Sequence, residues 1–217
     1  MPVLLYCVFS PNLSLPEIAT GVQEAPVQRL DHAGVSALYS ETAALPQDPG
    51  ELAQAAMSFQ STVQQVFGAG VVIPFGFPTL LAGSEELRAH LDANASRYAT
   101  GLKRLNGMAQ MEVRLTRPLG TGKSAEPPDN GTASLKPRLS ESISIDSAFG
   151  ELRQSAGPLV HEWHSRESAD ATRCYALIPH DKAAEFKRLI GFVRLAGGTR
   201  TVVSGPWPPS EFLPPEK

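Results

Sequence analysis

Residues 116–140 divide this chain of 217 residues into two parts. This stretch has prolines at 118, 127, 128 and 137, glycines at 120, 122 and 131, and almost no large apolar side chain. Such a segment cannot bury enough apolar surface to offset the entropy that it would lose on ordering. The sequence therefore predicts two small domains, residues 1–115 and 141–217, joined by a Pro/Gly/Ser-rich flexible linker or loop at 116–140. We expect limited proteolysis to cut first within this stretch.

Composition and charge exclude several classes of protein. With 42% hydrophobic and 19% charged residues, the chain is able to build a buried core. Its net charge of −3 and pI of about 6.0 give no broad basic field for nucleic acid or anionic lipid. No apolar run approaches the roughly 18 residues that a membrane span needs. The apolar residues 1–9 lack a basic leader, so they predict a buried first strand and not a signal peptide.

The two cysteines, Cys7 and Cys174, lie far apart in apolar runs and have no CxxC partner. They are interpreted as small buried hydrophobic residues in a reducing compartment, which predicts a cytoplasmic protein. The sequence by itself leaves open a disulfide between them.

The first half predicts a sheet with helices on one face, an α+β arrangement. Asp48 is placed to cap a helix that ends at Gly68 or Gly70, and a second helix runs from Ser84 to Gly107. The predicted strands are residues 4–9, 27–30, 35–40 and 111–115.

The second half predicts a small βαβ-containing domain. We expect a helix over residues 149–163, bent or split at Pro158, and a second helix over 181–196. The predicted strands are residues 174–178 and 199–203, with a short strand or helix lead-in at 143–145.

Residues 119–124, Leu-Gly-Thr-Gly-Lys-Ser, resemble the end of a phosphate-binding loop. The full motif needs a glycine where Arg117 stands and a helix directly after it, because the phosphate is held by N–H groups at a helix N-terminus. Pro127 and Pro128 prevent that helix. We therefore expect Lys123 to bind no nucleotide.

The other candidates for chemistry are equally weak. His161 and His164 are three residues apart, not four as in a zinc protease, and no third ligand is evident. We expect them on an exposed helix end. Asp31 and His32 begin no recognisable triad, since no serine or cysteine lies in a suitable context. We predict no catalytic residue, no metal and no cofactor.

Two aromatic segments are the stronger candidates for function. Phe75 and Phe77 lie in a Pro-Phe-Gly-Phe-Pro stretch that is poorly suited to a central strand, so they are predicted to face a hydrophobic partner. Trp207 stands in Gly-Pro-Trp-Pro-Pro, followed by Phe212. We expect the prolines to keep this segment out of any strand. Trp207 is either a core plug or a preorganised anchor; we favour the plug, with Phe212 available to a partner.

Both segments resemble the GvpL/GvpF family of gas vesicle proteins. The terminal Gly-Pro-Trp-Pro-Pro stretch and the Val-Ile-Pro-Phe-Gly-Phe-Pro-Thr stretch are similar to family motifs, and further matches run through residues 4–9, 31–39 and 111–115. The chain departs from the motifs at Gly76 and Pro78, which replace an arginine and a glycine, and at Ser210 and Glu211, which replace a Tyr-Ser pair.

The resemblance implies two α+β domains, the first ferredoxin-like in character. It also implies a non-catalytic accessory protein of gas vesicle assembly, located in the cytoplasm with the gas vesicles. Its implied partners are the hydrophobic shell protein and other accessory proteins, not nucleic acid. The alternative is a small-molecule-binding regulatory module with a ferredoxin-like βαβ unit, which fold analogy alone suggests.

Overall fold

A computed structural model describes residues 1–42, 44–116, 148–167, 172–193 and 200–214. The chain forms two compact units. The first unit contains Met1–Met108 with Trp207–Lys217, and the second contains Ala109–Pro206. The chain thus leaves the first unit and later returns to it, whereas the sequence predicted two consecutive domains. Most of the predicted linker, from residue 117 to 140, lies outside the described residues, and so does Lys123.

The first unit is built on a sheet with the strand order β2-β3-β1-β4, and a further strand, β5, also pairs with β1. The strands are β1 (Val3–Phe9), β2 (Val27–His32), β3 (Val35–Glu41), β4 (Val72–Pro74) and β5 (Leu80–Leu81). All of these pairings are antiparallel. β1 is the central strand, because β3 pairs with one of its edges while β4 and β5 pair with the other edge.

Two helices of 21 residues each, α1 (Pro49–Ala69) and α2 (Ser84–Arg104), cover this sheet. The predicted cap of α1 is confirmed: the Asp48 carboxylate accepts hydrogen bonds from the backbone N–H groups of Gly50 and Glu51. α2 carries two acidic residues in its first turn and two basic residues in its last, which complement the helix dipole.

α1 and α2 lie on opposite faces of the first sheet. Leu5 of β1 belongs to a core cluster that α2 completes with Leu91. The ring of the next residue, Tyr6, lies 5.0 Å from the ring of Phe59 in α1. The register of β1 shifts between Leu5 and Cys7, but the partners in β3 still separate the two faces: Leu5 lies opposite Tyr39, whereas the Tyr6 hydroxyl donates to Ser40 Oγ, and adjacent residues of β3 point to opposite faces. All seven residues of β1 are buried, as in a strand covered on both sides. The prediction that both helices share one face is therefore wrong.

In its described residues, the second unit combines a four-stranded sheet with two α-helices. Its elements, in chain order, are β6 (Met108–Thr116), α3 (described over 148–156), β7 (Glu162–Glu167), β8 (Thr172–Pro179), α4 (Ala183–Phe192) and β9 (Arg200–Trp207). The strand order is β7-β8-β6-β9. This βαββαβ sequence of elements is ferredoxin-like. The resemblance implied this character for the first domain. In the first unit, however, the β2–β3 hairpin precedes the first α-helix, so it is the second unit that has this order of elements.

The core of the second unit lies between its helices and one face of its sheet. Alternate residues of the central strands β6 and β8 meet apolar residues of both helices: Met111, Val113, Leu115, Cys174, Ala176, Ile178, Leu152, Phe186 and Ile190. Trp163 of β7 packs against this cluster, and its ring lies 5.5 Å from the ring of Phe149. Both helices therefore cover the same face.

Two predicted helices of the second half are shorter than expected. The first ends at residue 156, a 3₁₀ turn covers Gly157–Leu159, and β7 begins three residues later. Pro158 has no backbone N–H to continue the helix, so it ends the helix and does not bend it. The second predicted helix consists of a 3₁₀ turn, His180–Lys182, followed by α4.

Strand β9 runs through Gly205 and Pro206 to Trp207, whereas the sequence predicted its end at Val203. β9 is the last strand in the order of its described sheet. Proline is tolerated in an edge strand, because the missing N–H can fall on the side without a partner strand. The expectation that these prolines exclude the segment from a strand is therefore wrong up to Trp207.

Candidate partner-binding surfaces

The segment that contains Phe75 and Phe77 leaves the sheet between β4 and β5. It is held at both ends by the central strand: Phe75 N donates to Tyr6 O, and Leu5 N donates to Thr79 O, each at 3.0 Å. Thr79 Oγ1 also donates to Gly76 O at 2.7 Å, which closes the loop on itself. The predicted aromatic residues thus lie at the sheet edge, in a fixed loop and not in a regular strand.

Phe75 and Phe77 pack towards different helices. The ring of Phe75 lies edge-on to the rings of His90 and Tyr98 of α2, with centroids 5.6 and 6.2 Å away. The ring of Phe77 lies 5.4 Å from that of Phe59 in α1. Both phenylalanines keep part of their surface in solvent. Each one therefore supports the first unit and keeps part of its surface exposed.

His90 and Tyr98 form a polar contact beneath Phe75. His90 Nε2 lies 2.6 Å from the Tyr98 hydroxyl, and Tyr98 is only 2% exposed. Burying this hydroxyl without a partner would be costly, so the imidazole satisfies it. The contact fixes the two α2 side chains against which Phe75 packs.

Residues 207–214, here called the return segment, belong to the first unit. Phe212 is 1% exposed, and Leu213 packs against the core cluster that α2 completes. Two arginines of α2 hold the backbone: Arg104 Nη1 donates to Phe212 O at 3.0 Å, and Arg97 Nε donates to Pro214 O at 2.8 Å. The return segment is therefore tied to one side of α2 by both apolar and charge-assisted contacts.

Gly101 explains how the return segment approaches α2 so closely. A β-carbon at this buried position would lie 2.9 Å from Leu213 Cδ2 and 3.4 Å from Ile73 Cδ1. The first distance is shorter than real carbon contacts allow, so a side chain here would displace Leu213. Glycine in a helix interior costs up to about 1 kcal/mol relative to alanine, a cost that the close packing offsets.

The structure separates the two aromatic residues of the terminal motif. Phe212 is buried, so it is not exposed to a partner, while Trp207 is partly exposed at the start of the return segment. Trp207 belongs to the first unit, although it lies within the predicted second domain, residues 141–217. It stays a prediction that a partner binds to Phe75, Phe77, Trp207 and Phe212. Of these four side chains, Phe212 is the least accessible to a partner, because it is buried.

Sequence reasoning missed the outer face of α1 as a candidate surface. Met57 in the middle of this face is 73% exposed, and Leu52 near its start is 37% exposed. The helix carries a single charged residue, Glu51. The signal was present in the sequence, because no charged side chain follows Glu51 until Glu85. The spacing of the apolar residues in this helix predicts only its buried face.

The histidines of the second unit lie on a strand, not on a helix end. His164 is in β7, paired with Tyr175 of β8, and His161 precedes the strand. His164 Nε2 lies 2.9 Å from Glu162 Oε1. Within the described ranges, no group of three or more His, Cys, Asp or Glu side chains could hold a metal ion.

Both cysteines are buried free thiols. Burial raises the pKa of Cys174 to about 12, although the nearby Arg153 acts in the opposite direction. Burial also raises the pKa of Cys7. Because the thiolate is the reactive form, neither thiol is activated for nucleophilic chemistry at neutral pH.

These observations place the chain among two-unit α+β proteins with a ferredoxin-like second unit. None of the described helices is long and apolar enough to cross a membrane. The chain belongs to the gas vesicle synthesis protein GvpL/GvpF family, whose model matches residues 2–214. The resemblance seen in the sequence and the α+β class are thereby confirmed.

Solved structures of gas vesicle proteins are similar over nearly their whole length. The crystal structure of GvpF from Anabaena sp. PCC7120 has a TM-score of 0.76 and 17% identity, with 100% of this chain and 97% of that chain covered. The crystal structure of GvpF from Microcystis aeruginosa has a TM-score of 0.75 and 14% identity, with 97% and 98% covered. At this identity the likeness concerns the fold. No curated protein matches the sequence.

Proposed function

We propose that this protein is a non-catalytic accessory protein of gas vesicle assembly. It contacts the hydrophobic shell protein and other accessory proteins, in the cytoplasm and on the gas vesicles. The observation that carries the proposal is the family match over residues 2–214, nearly the whole chain. The structural likeness to two GvpF proteins supports it.

The physical task of such a protein follows from the chemistry of an apolar shell. Subunits with apolar faces aggregate unless other surfaces cover those faces until assembly. A covering protein needs partly exposed apolar and aromatic side chains on a rigid support. Phe75 and Phe77, held in a loop that is fixed to the central strand, meet this requirement.

The proposed role is contact and not catalysis. The two thiols are buried with raised pKa values, and His164 faces Glu162 on a strand. An enzyme needs a nucleophile or base in a site that substrate can reach.

The test is genetic and uses the full chain. A gas vesicle gene cluster is expressed with this gene present, with it deleted, and with it restored. We expect vesicles, seen as buoyant cells and in electron micrographs, to be lost on deletion and to return on restoration. Unchanged vesicle yield after deletion would contradict the proposal.

A second measurement addresses the partners. The tagged protein is isolated from vesicle-forming cells after cross-linking, and the captured proteins are identified by mass spectrometry. We expect the shell protein and accessory proteins from the same cluster. Capture of neither, together with a small metabolite that binds the pure protein tightly, would favour the regulatory alternative instead.

A further inference from the structure

The chain turns through Asn106 and Gly107 where it leaves α2 and enters β6. Met108 N, at the start of β6, donates to Leu105 O at 3.0 Å, and this hydrogen bond closes the turn. Gly107 has a φ of 71°, in the left-handed region that glycine adopts without strain. Asn106 and Gly107 are both exposed. We call this turn, residues 105–108, the Asn-Gly turn.

The backbone nitrogen of Gly107 follows the side chain of Asn106 directly in the chain, and neither group is held elsewhere. Among the hydrogen bonds of the described residues, none uses the Gly107 N–H or the Asn106 side-chain amide. A β-carbon at Gly107 would have no atom within 4 Å outside the neighbouring residues. The Gly107 nitrogen is therefore able to approach the side-chain carbonyl carbon of Asn106 without displacing another group.

The two other asparagines in the described part of the chain lack this combination. Asn94 lies inside α2, where its side-chain amide donates to His90 O at 2.9 Å. The nitrogen that follows Asn94 belongs to the hydrogen-bonded ladder of the helix. Asn12 precedes Leu13, whose backbone N donates to Ser10 O at 2.9 Å. At both positions the following nitrogen is already bonded, and its residue carries a side chain.

We propose that Asn106 is a site of spontaneous deamidation, with water as the co-reactant. The Gly107 nitrogen gives up its proton and forms a bond to Asn106 Cγ. The bond from Cγ to Nδ2 breaks, and ammonia leaves with that proton. The product is a five-membered succinimide ring, and no group is oxidised or reduced.

Water then opens the succinimide ring. The water oxygen bonds to one of the two ring carbonyl carbons, the bond from that carbon to the Gly107 nitrogen breaks, and the nitrogen regains a proton. Opening at Cγ gives aspartate. Opening at the backbone carbonyl carbon of Asn106 gives isoaspartate, in which the main chain runs through the former side chain.

Both products change the Asn-Gly turn. Each replaces an amide by a carboxylate near the C-terminus of α2, where the helix dipole disfavours a negative charge. Isoaspartate also adds a methylene group to the main chain between Leu105 and Met108, so the hydrogen bond that closes the turn loses its geometry. The change falls where the first unit ends and the second begins, at Met108 and Ala109.

The first experiment ages the purified full-length protein in neutral buffer and compares its four asparagines. Peptide mapping by mass spectrometry, with fragmentation that separates aspartate from isoaspartate, follows each position. We expect Asn106 to deamidate at least about tenfold faster than Asn12 and Asn94, with isoaspartate as the main product. Asn130, which also precedes a glycine, lies outside the described residues and is followed in its own peptide.

Two outcomes of this experiment would overturn the inference. An equal rate at Asn106 and Asn94 would show that the Asn-Gly turn gives no advantage. Aspartate as the sole product would show direct hydrolysis of the amide, because only the succinimide ring opens to isoaspartate.

The second experiment tests the bare nitrogen of Gly107. Gly107→Asn adds a side chain beside this nitrogen, and asparagine tolerates a positive φ better than most residues. We expect deamidation at Asn106 to slow about tenfold while the melting temperature stays close to that of wild type. Gly34→Asn makes the same change at another exposed glycine with a positive φ and should leave the rate at Asn106 unchanged. An unchanged rate in Gly107→Asn would contradict the inference.

The third experiment measures the effect on the turn. The isoaspartate form is separated from fresh protein by anion exchange and compared with Asn106→Asp, which has the added charge but the original chain length. We expect the Met108 amide of the isoaspartate form to exchange its hydrogen at least about tenfold faster than that of Asn106→Asp. Equal exchange would show that the closing hydrogen bond survives, against the inference. These outcomes do not depend on the proposed function, since only Asn106, Gly107 and water take part.

Discussion

Helices α1 and α2 have equal length and flank the same sheet, yet they use their outer surfaces differently. α2 binds the chain's own return segment through Arg97 and Arg104, and the Gly101 position lets Leu213 approach. α1 presents an exposed, uncharged strip with Met57 at its centre. The difference teaches that apolar surface on one helix is covered within the molecule, while on the other it remains exposed.

The largest expected effect concerns the return segment, which packs against α2. Phe212→Ala removes a fully buried aromatic side chain, so we expect the first unit to lose about 3–5 kcal/mol of stability. Denaturant unfolding measures this loss, and hydrogen exchange of the β1 amides shows that it falls on the first unit. Met57→Ala on α1 is the comparison and should change stability by less than about 0.5 kcal/mol. Similar losses for both variants would break the contrast between the helices.

Trp207 gives a smaller effect, because its indole keeps part of its surface in solvent. We expect Trp207→Ala to destabilise the protein by about 2 kcal/mol and to leave shell-protein capture unchanged. Melting temperature and capture are measured on the same preparation. Unchanged melting with lost capture would show that Trp207 is an anchor and not a plug.

Gly101→Leu tests the close approach of the return segment directly. The new side chain displaces Leu213, and overpacking of this kind costs about 1–3 kcal/mol. Ala99→Leu, at an exposed position of the same helix, is the matched control and should be nearly neutral. Chemical denaturation compares the two variants; a neutral Gly101→Leu would mean that the segment is loosely held.

The smallest expected effect lies at the start of α1. Asp48→Ala removes the side chain that accepts from two backbone N–H groups, at a cost of about 1 kcal/mol. Asp48→Asn keeps an oxygen acceptor and should retain most of the stability. Thermal melting of the three proteins measures the difference. An Asn variant as unstable as the Ala variant would show that charge, and not the hydrogen bonds, stabilises this end.

The parts that local chemistry determines were predictable from the sequence. Asp48 signals the start of α1, and the spacing of Leu87, Leu91, Tyr98 and Leu102 identifies the buried side of α2. The Gly-Pro-Trp-Pro-Pro and Pro-Phe segments identified the family. Each of these signals is a local pattern in the sequence, so no tertiary information is needed to find it.

The parts that depend on distant contacts were not predictable. Pro206 in a strand is acceptable only because β9 is an edge strand, and the pairing of strands decides that. The site of Leu213 depends on Gly101, more than a hundred residues earlier in the chain. The outer face of α1 was overlooked because apolar periodicity reveals what a helix buries, and not what its exposed side lacks.

The return of the chain to its first unit has a consequence for biosynthesis. A ribosome makes β1, α1 and α2 early, but Phe212 and Leu213 are added only after the whole second unit has been translated. Until then, the return segment does not pack against the side of α2 around Gly101. By that time, all strands and helices of the ferredoxin-like unit have already been made. Although domains usually fold in the order of their synthesis, here the unit that begins first is completed last. A nascent chain stalled before residue 207 should therefore be cut by protease more readily in its first unit than the released protein.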